Sequence, residues 1–405
     1  MKRTRFMAYG VVLAIVVGIV LPSTAAKPKK KCTRYSVLMG QSEMKRHKEL
    51  WMADFVSEPK WDYTQGLMAL AMLQLADSTG DKHFFDYAKG FADKFINESG
   101  DIATYKLEEY NIDRVNPGKF LVYLYRQTKV EKYKKAVDLL RHQFDTHPRT
   151  SEGGFWHKKI YTSQMWLDGL YMGAPFYALY ANEYNRPDDF ADAIRQFELV
   201  NKYTYDRLTG LNYHGWDEQK QQGWANKETG CSPNFWGRAM GWYAMGLVDA
   251  LSSIPSDYPG REKLLSILNQ VAAGVKKYQD TETGVWYQVL DQGDRQGNYL
   301  EATASSMFVY ALYKGVRLGY LDKSYLEVAK KGYKGILNQF IVKNSDGTIS
   351  LTSCCAVAGL GGKNPYRDGS YEYYINEQKR DNDPKGVGPF IMASLEVESI
   401  CDRKR

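Results

Sequence analysis

Two aspartates, one arginine and a group of tryptophans are the residues of this sequence whose types and spacing can do chemistry. Asp168 lies in QMWLDGLYMGAPF, a run so apolar that an ionised carboxylate there is costly unless it faces a cavity or a partner. Asp113 lies in YNIDRVNPGKF, just ahead of a proline-containing helix start. Trp236, Arg238 and Trp242 are spaced through FWGRAMGW, Trp166 stands two residues before Asp168, and His214 sits in NYHGWDE. Aromatic faces stack on the apolar faces of sugar rings, and the guanidinium fork matches a carboxylate. An acidic sugar is the guest such a set suits. If both aspartates face one pocket, mutual repulsion and burial raise the pKa of at least one. Such a group donates a proton and then, as its conjugate base, takes one from water.

Each residue also has a structural reading. Aspartate is a preferred helix N-cap, which would account for Asp168, and Asp113 suits a turn or a cap. His214 could serve only to hold a hairpin. Trp236 and Trp242 could be core, although an arginine between them then needs a counter-ion.

The elements that must position these groups repeat a theme six times. Inner helices, apolar nearly all round as enclosed helices are, are expected to start near Trp61, Asn116, Trp166, Phe235, Glu301 and Gly386. Between them run five amphipathic helices with apolar residues at three-and-four spacing, such as DKHFFDYAKGFADKF and REKLLSILNQVAAGVKKY. A sixth, expected over residues 35 to 51, pairs with the C-terminal inner helix. The pattern predicts an all-α fold, an (α/α)6 barrel of six inner and six outer helices in one domain over residues 35–405, with an open solenoid as the alternative. Segments 209–218, 283–291 and 346–351 carry turn residues ahead of alternating apolar ones and read as short β-hairpins at one rim. The rim where the inner helices start collects Trp61, Asp62, Tyr63, Asn111, Asp113, Trp166, Asp168, His214, Trp216, Trp236, Arg238 and Trp242.

Residues 1–26, with Lys2, Arg3 and Arg5 before the apolar stretch Val11 to Leu21 and the small residues Ser23 to Ala26, read as a cleavable secretory signal. The apolar run is short for a membrane anchor. Residues 27–34 form a basic leader, and the mature chain is expected in the periplasm or outside the cell, without a stable membrane span. The 405 residues carry 54 basic and 47 acidic side chains, a net +7, of which the signal accounts for three. No dense basic stripe for nucleic acid is present. Five cysteines in irregular positions make neither a disulfide framework nor a zinc site, so no metal is expected.

The strings NIDRVNPG, MWLDGLYMGAPF, LNYHGWDE, FWGRAMGWYAMGLVDAL, GLGGKNPYRDGSYEYYINE and NDPKGVGPF, in this order, resemble glycoside hydrolase family 105, the unsaturated rhamnogalacturonyl hydrolases, from about Ser36 to the C-terminus. The resemblance implies an (α/α)6 barrel that acts on oligosaccharides left by pectin lyases, whose nonreducing end is a 4,5-unsaturated galacturonic acid. It implies Asp168 as general acid and base, Asp113 as its companion, and His214, Trp236, Arg238 and Trp242 in the sugar subsite. It also implies hydration of an enol ether: a proton goes to C4, an oxocarbenium ion forms, water attacks C5, and the hemiketal opens. No metal or organic cofactor is required. Rival readings are an unsaturated glucuronyl hydrolase acting on glycosaminoglycan-lyase products, a hydrolase of saturated chains, and a non-catalytic glycan-binding barrel.

Overall fold

The computed structural model describes residues 33–403, with side chains described through Ser399; the expected signal and most of the basic leader, including Cys32, lie outside the described residues. From Arg34 onward the chain forms one compact unit. Outer helices α1 (Tyr35–Arg46), α3 (Lys82–Phe95), α5 (Glu131–Thr146), α7 (Pro187–Thr204), α9 (Arg261–Lys277) and α11 (Tyr325–Gln339) alternate with inner helices α2 (Tyr63–Thr79), α4 (Gly118–Thr128), α6 (Leu167–Glu183), α8 (Gly237–Leu251), α10 (Ala302–Arg317) and α13 (Pro384–Arg403). A short α12 (Tyr371–Asn376) lies between the last outer and the last inner helix.

Burial explains the two kinds. In α8 every residue from Gly237 to Val248 is buried, because neighbours enclose the helix on all sides. In α3 only Phe84, Ala88, Phe91, Ala92 and Phe95 are buried, one stripe at three-and-four spacing with charge opposite. The turn between them is set locally. Gly80 ends α2 at φ 72°, a left-handed conformation that favours glycine, and the Asp81 carboxylate then caps α3 by accepting from the His83 backbone N–H at 3.0 Å.

Each inner helix packs on the next, α2 on α4, α4 on α6, α6 on α8, α8 on α10, α10 on α13, and α13 returns to α2. The ring is therefore closed, which rules out the open solenoid. At the seam the Ser36 backbone N–H and hydroxyl donate to the Glu398 carboxylate at 3.0 and 2.5 Å, tying the first outer helix to the last inner one.

The inner helices begin within two residues of the expected positions; the residue before the first turn is extended at α2, α6, α8 and α10, whereas at α4 it is Pro117 in a helical conformation. The first outer helix is shorter than expected. It ends at Arg46, and Leu50–Asp54 is a separate 3-10 turn.

The expected hairpins are partly corrected. Strand β5 (Ile341–Lys343) with β6 (Ile349–Leu351), and β2 (Tyr205–Asp206) with β3 (Leu211–Asn212), are true hairpins. Segment 209–218 is instead split: β3 serves that hairpin, whereas β4 (Gly215–Asp217) pairs antiparallel with the distant β1 (Gln164–Trp166). Segment 283–291 forms only isolated bridges, Trp236 to Val289 and Tyr287 to Leu300. A further two-stranded pair joins β7 (Cys354–Cys355) to β8 (Lys379–Arg380). Long-range pairing won because it brings rim segments from different passes together, which a local turn cannot do. Among the described residues no helix is long and apolar enough to cross a membrane.

Candidate active site

Asp168 occupies the first turn of α6, whose N-cap Trp166 makes no side-chain cap. The N-cap reading of Asp168 therefore fails. The β1–β4 pairing sets Trp166 opposite Gly215 and so brings His214 beside the start of α6, with the Leu167 N–H donating to the His214 carbonyl at 3.0 Å. His214 Nε2 then stands 3.1 Å from Asp168 Oδ2. The contact lacks hydrogen-bond alignment, so both atoms are buried without a hydrogen-bond partner. The other ring nitrogen, Nδ1, is 2.7 Å from the Tyr374 hydroxyl. His214 and Tyr374 are fully buried, while the Asp168 side chain keeps 14% exposure and is the member of this row that opens to the rim.

Asp113 lies in the 3-10 turn Ile112–Val115 ahead of α4, where Asn111, not Asp113, caps the turn by accepting from the Asp113 N–H at 3.1 Å. The Asp113 carboxylate meets Lys158 Nζ at 2.7 Å and His157 Nε2 at 3.4 Å. Burial opposes its charge, but Lys158, His157 and Arg114 outweigh burial and hold the carboxyl below the usual carboxylate range. The expected repulsion between the two aspartates does not raise Asp113, because the attraction of Lys158, His157 and Arg114 prevails there. His157 is neutral: burial pushes its pKa down to about 4, against the pull of Asp113 and Asp168. Asp113 thus contacts this imidazole, and Asp168 acts on it electrostatically. Its ring stacks on Trp166 at 4.7 Å, Tyr161 stacks on the same indole at 4.6 Å, and a Cβ on Gly169 would meet His157 Nδ1 at 2.8 Å. Trp166 accordingly backs His157 within the wall.

Trp236 and Arg238 open α8. The Arg238 guanidinium lies over the Trp236 ring at 4.6 Å and donates through Nη1 to the Cys355 carbonyl, while its buried Nε has no partner. Burial works against its charge, yet Cys355, Tyr63, Asp383 and Glu301 more than offset this and keep it protonated. Trp236 is fixed by an Nε1–H bond to Gln288 Oε1 at 3.1 Å, and its ring lies 4.8 Å from His214 and 5.8 Å from Tyr374. Trp242, one turn deeper, stacks on Tyr171 at 4.7 Å and meets Tyr63 edge-on at 6.3 Å. Asp113 and Asp168 thus have unlike surroundings, and Trp236, Arg238 and Trp242 are fully buried behind the rim, with one unpartnered donor on Arg238.

Other rim candidates serve the frame. Trp61 is fully buried and stacks on Phe91 at 5.1 Å, Asp62 caps α2, and Trp216 stacks on Tyr203 at 3.9 Å. Sequence reasoning missed His157, Lys158, Gln288, Glu301 and Tyr374. The string YEYYINE was legible as a motif, but nothing in it singles out Tyr374 as the partner of His214; HKK in an irregular loop carries no periodic signal at all.

A family model described as Glycosyl Hydrolase Family 88 matches residues 35–401. A solved glycoside hydrolase of family 105 from C. acetobutylicum superposes with a TM-score of 0.87 at 50% identity, covering 91% of this chain and 100% of its own. Protein Atu3128 of Agrobacterium fabrum is 42% identical over 230 residues, 56% of this chain and 97% of its own. The unsaturated rhamnogalacturonyl hydrolase YesR of Bacillus subtilis is 26% identical over 299 residues, 72% of this chain and 79% of its own. A closed helical barrel with these groups at one rim and this match over almost all the described chain lead to one assignment: the protein belongs to glycoside hydrolase family 88/105 and is a hydrolase of the unsaturated uronyl type.

Proposed function

We propose that the chain is an exported unsaturated rhamnogalacturonyl hydrolase, which releases 4,5-unsaturated galacturonic acid from the nonreducing end of pectin-lyase oligosaccharides. The observation that carries this reading is that one carboxylate oxygen and one guanidinium nitrogen among the rim residues, Asp168 Oδ2 and Arg238 Nε, are each buried without a hydrogen-bond partner. Arg238 Nε offers an edge to a planar uronate carboxylate. Trp236 and Trp242 give the flat unsaturated ring its walls. Asp168, in its acid form, delivers a proton to C4 of the enol ether, and positive charge spreads over C5 and the ring oxygen. The same carboxylate then takes a proton from the water that attacks C5, and the hemiketal opens to release the aglycone. Asp113 is tied to Lys158, so it acts here as a fixed anion beside the developing cation. The kinship to YesR supports the rhamnogalacturonan substrate. The basic, apolar and small-residue order of residues 1–26 supports export to the periplasm or beyond.

The test is an ultraviolet assay with the unsaturated disaccharide made by a rhamnogalacturonan lyase. Loss of the double-bond absorbance together with release of free rhamnose supports the reading. Turnover of a glycosaminoglycan-lyase disaccharide alone moves the substrate to the glucuronyl type, and equal activity on saturated oligogalacturonides refutes enol-ether hydration as the route.

A further inference from the structure

Arg238 is held by a closed circuit of contacts, and one buried carboxylate anchors it from behind. The Cys355 carbonyl accepts from Arg238 Nη1, and the Cys355 N–H donates to Glu301 Oε1 at 2.9 Å. One residue's backbone is thus gripped at its two ends by an arginine and a glutamate. Its thiol continues the circuit: Gln288 Nε2 donates to Cys355 Sγ at 3.2 Å, Gln288 Oε1 accepts from the Trp236 indole at 3.1 Å, and Trp236 lies under Arg238.

Glu301 is fully buried and is the N-cap of α10, accepting from the Thr303 N–H at 3.0 Å and the Ala304 N–H at 2.6 Å. Glutamate is a poor choice for a cap, a position that Asp, Asn, Ser and Thr fill best. Its extra methylene makes sense here because the same carboxylate must reach across to β7 as well as cap the helix. Among the described residues no cation lies within ion-pair distance of it, and its carboxylate accepts from neutral backbone N–H groups. Burial raises its pKa, and the Ala304 N–H, Arg238 beyond Cys355, and the Cys355 and Thr303 N–H groups pull the other way.

We propose that Glu301 is a positioning residue for Arg238 and thereby the group that makes the site read a free uronate carboxylate over its ester; this rests on the reading of Arg238 given above. With Glu301 in place the Cys355 carbonyl holds one guanidinium nitrogen, which leaves the Nε edge aimed at the substrate. Without it, β7 loses the hydrogen bond from the Cys355 N–H to Glu301 and the guanidinium gains freedom that binding must then remove.

The experiment measures KM and kcat for the unsaturated disaccharide with its C6 carboxylate free and for its C6 methyl ester, in the wild-type chain, Glu301→Gln and Glu301→Asp. Glu301→Gln keeps the side-chain length and replaces one carboxyl oxygen by an amide; Glu301→Asp keeps the carboxyl and the cap but falls short of Cys355. Each variant is expected to raise KM for the acid by about tenfold while leaving KM for the ester within about twofold, as for loss of a charge-assisted contact. A general loosening of the fold raises both KM values together, and that outcome overturns the proposal, as does an unchanged acid-to-ester ratio in a folded Glu301→Asp chain. A wild-type chain that turns over both substrates with equal KM refutes carboxylate reading by Arg238 and this role of Glu301 with it. That result differs from a failure of Glu301 alone, in which the wild type discriminates and the variants do so equally well.

Discussion

Asp168 and His214 meet at 3.1 Å between Oδ2 and Nε2, and the same histidine turns its Nδ1 to the Tyr374 hydroxyl at 2.7 Å. The row Tyr374, His214, Asp168 runs from a fully buried phenol to a carboxylate at the rim. His214 is fully buried between the two, with Nδ1 at the Tyr374 hydroxyl and Nε2 toward the Asp168 carboxylate, so the histidine links the place of Asp168 at the rim to a phenol in the core.

Replacing Asp168 by asparagine removes the transferable proton while keeping size and polarity. Turnover is expected to fall by about a thousandfold, the range for loss of general acid–base catalysis. Affinity for the unsaturated disaccharide, measured by calorimetry, stays within about threefold, since the aromatic walls and Arg238 are untouched. Unchanged turnover would remove Asp168 from the mechanism.

Tyr374→Phe deletes one hydroxyl and leaves His214 Nδ1 buried without its partner. The expected result is a fall in kcat by about tenfold with KM little changed, the size of one lost buried hydrogen bond expressed at the transition state. A change confined to KM would mean that Tyr374 shapes the subsite and does not orient His214.

Lys158→Met strands the Asp113 carboxylate in a buried position and is expected to cost about 3 kcal/mol at neutral pH. The carboxyl of Asp113 is held below its unfolded value, so its contribution is present above about pH 4 and is lost as pH falls through the lower folded value. Lys158, which Asp113 holds above the ordinary lysine value in spite of burial, contributes below about pH 10 and loses that contribution as pH rises further. Thermal melts of both chains across pH should show the widest gap between about pH 5 and 9 and a narrower one on either side. A gap that does not vary with pH would show that packing, and not the ion pair, sets the loss.

Lys119 poses the opposite case. It is buried on α4, its Nζ lies 3.3 Å above the Tyr171 ring and donates to the Tyr171 carbonyl at 3.1 Å. Burial pushes its pKa down to about 7, against the pull of Asp249, with Lys314 adding to the fall. A lysine depressed in the folded state costs stability below that value, and the cost fades as pH rises toward the unfolded value near about 10.4. Lys119→Met is therefore expected to stabilise the chain at pH 6, by on the order of 2 kcal/mol, and to lose that advantage by about pH 10. Melts at the two pH values decide it; a constant difference would mean that the amine's contacts outweigh its desolvation.

What the sequence by itself determined is whatever is written in local pattern. Helices apolar all round and helices apolar on one stripe follow from residue type at each position, and they set the six-fold alternation before any contact is known. The motif strings drew attention to Asp113, Asp168, His214, Trp236, Arg238 and Trp242, because in each string a polar or aromatic residue interrupts an otherwise small and apolar run. The tertiary structure alone decided the rest. Closure depends on α13 meeting α2 across most of the chain, and a periodic pattern is the same for a ring and a spiral. The pairing of β4 with β1 set His214 beside Asp168, where local turn signals had called for a hairpin within residues 209–218. Lys158 became the partner of Asp113, and Glu301 the anchor behind Arg238, through contacts between passes that share no sequence neighbourhood. Charges in a buried site answer to whatever folds against them, and that is a property of three-dimensional proximity, which residue spacing along the chain does not carry.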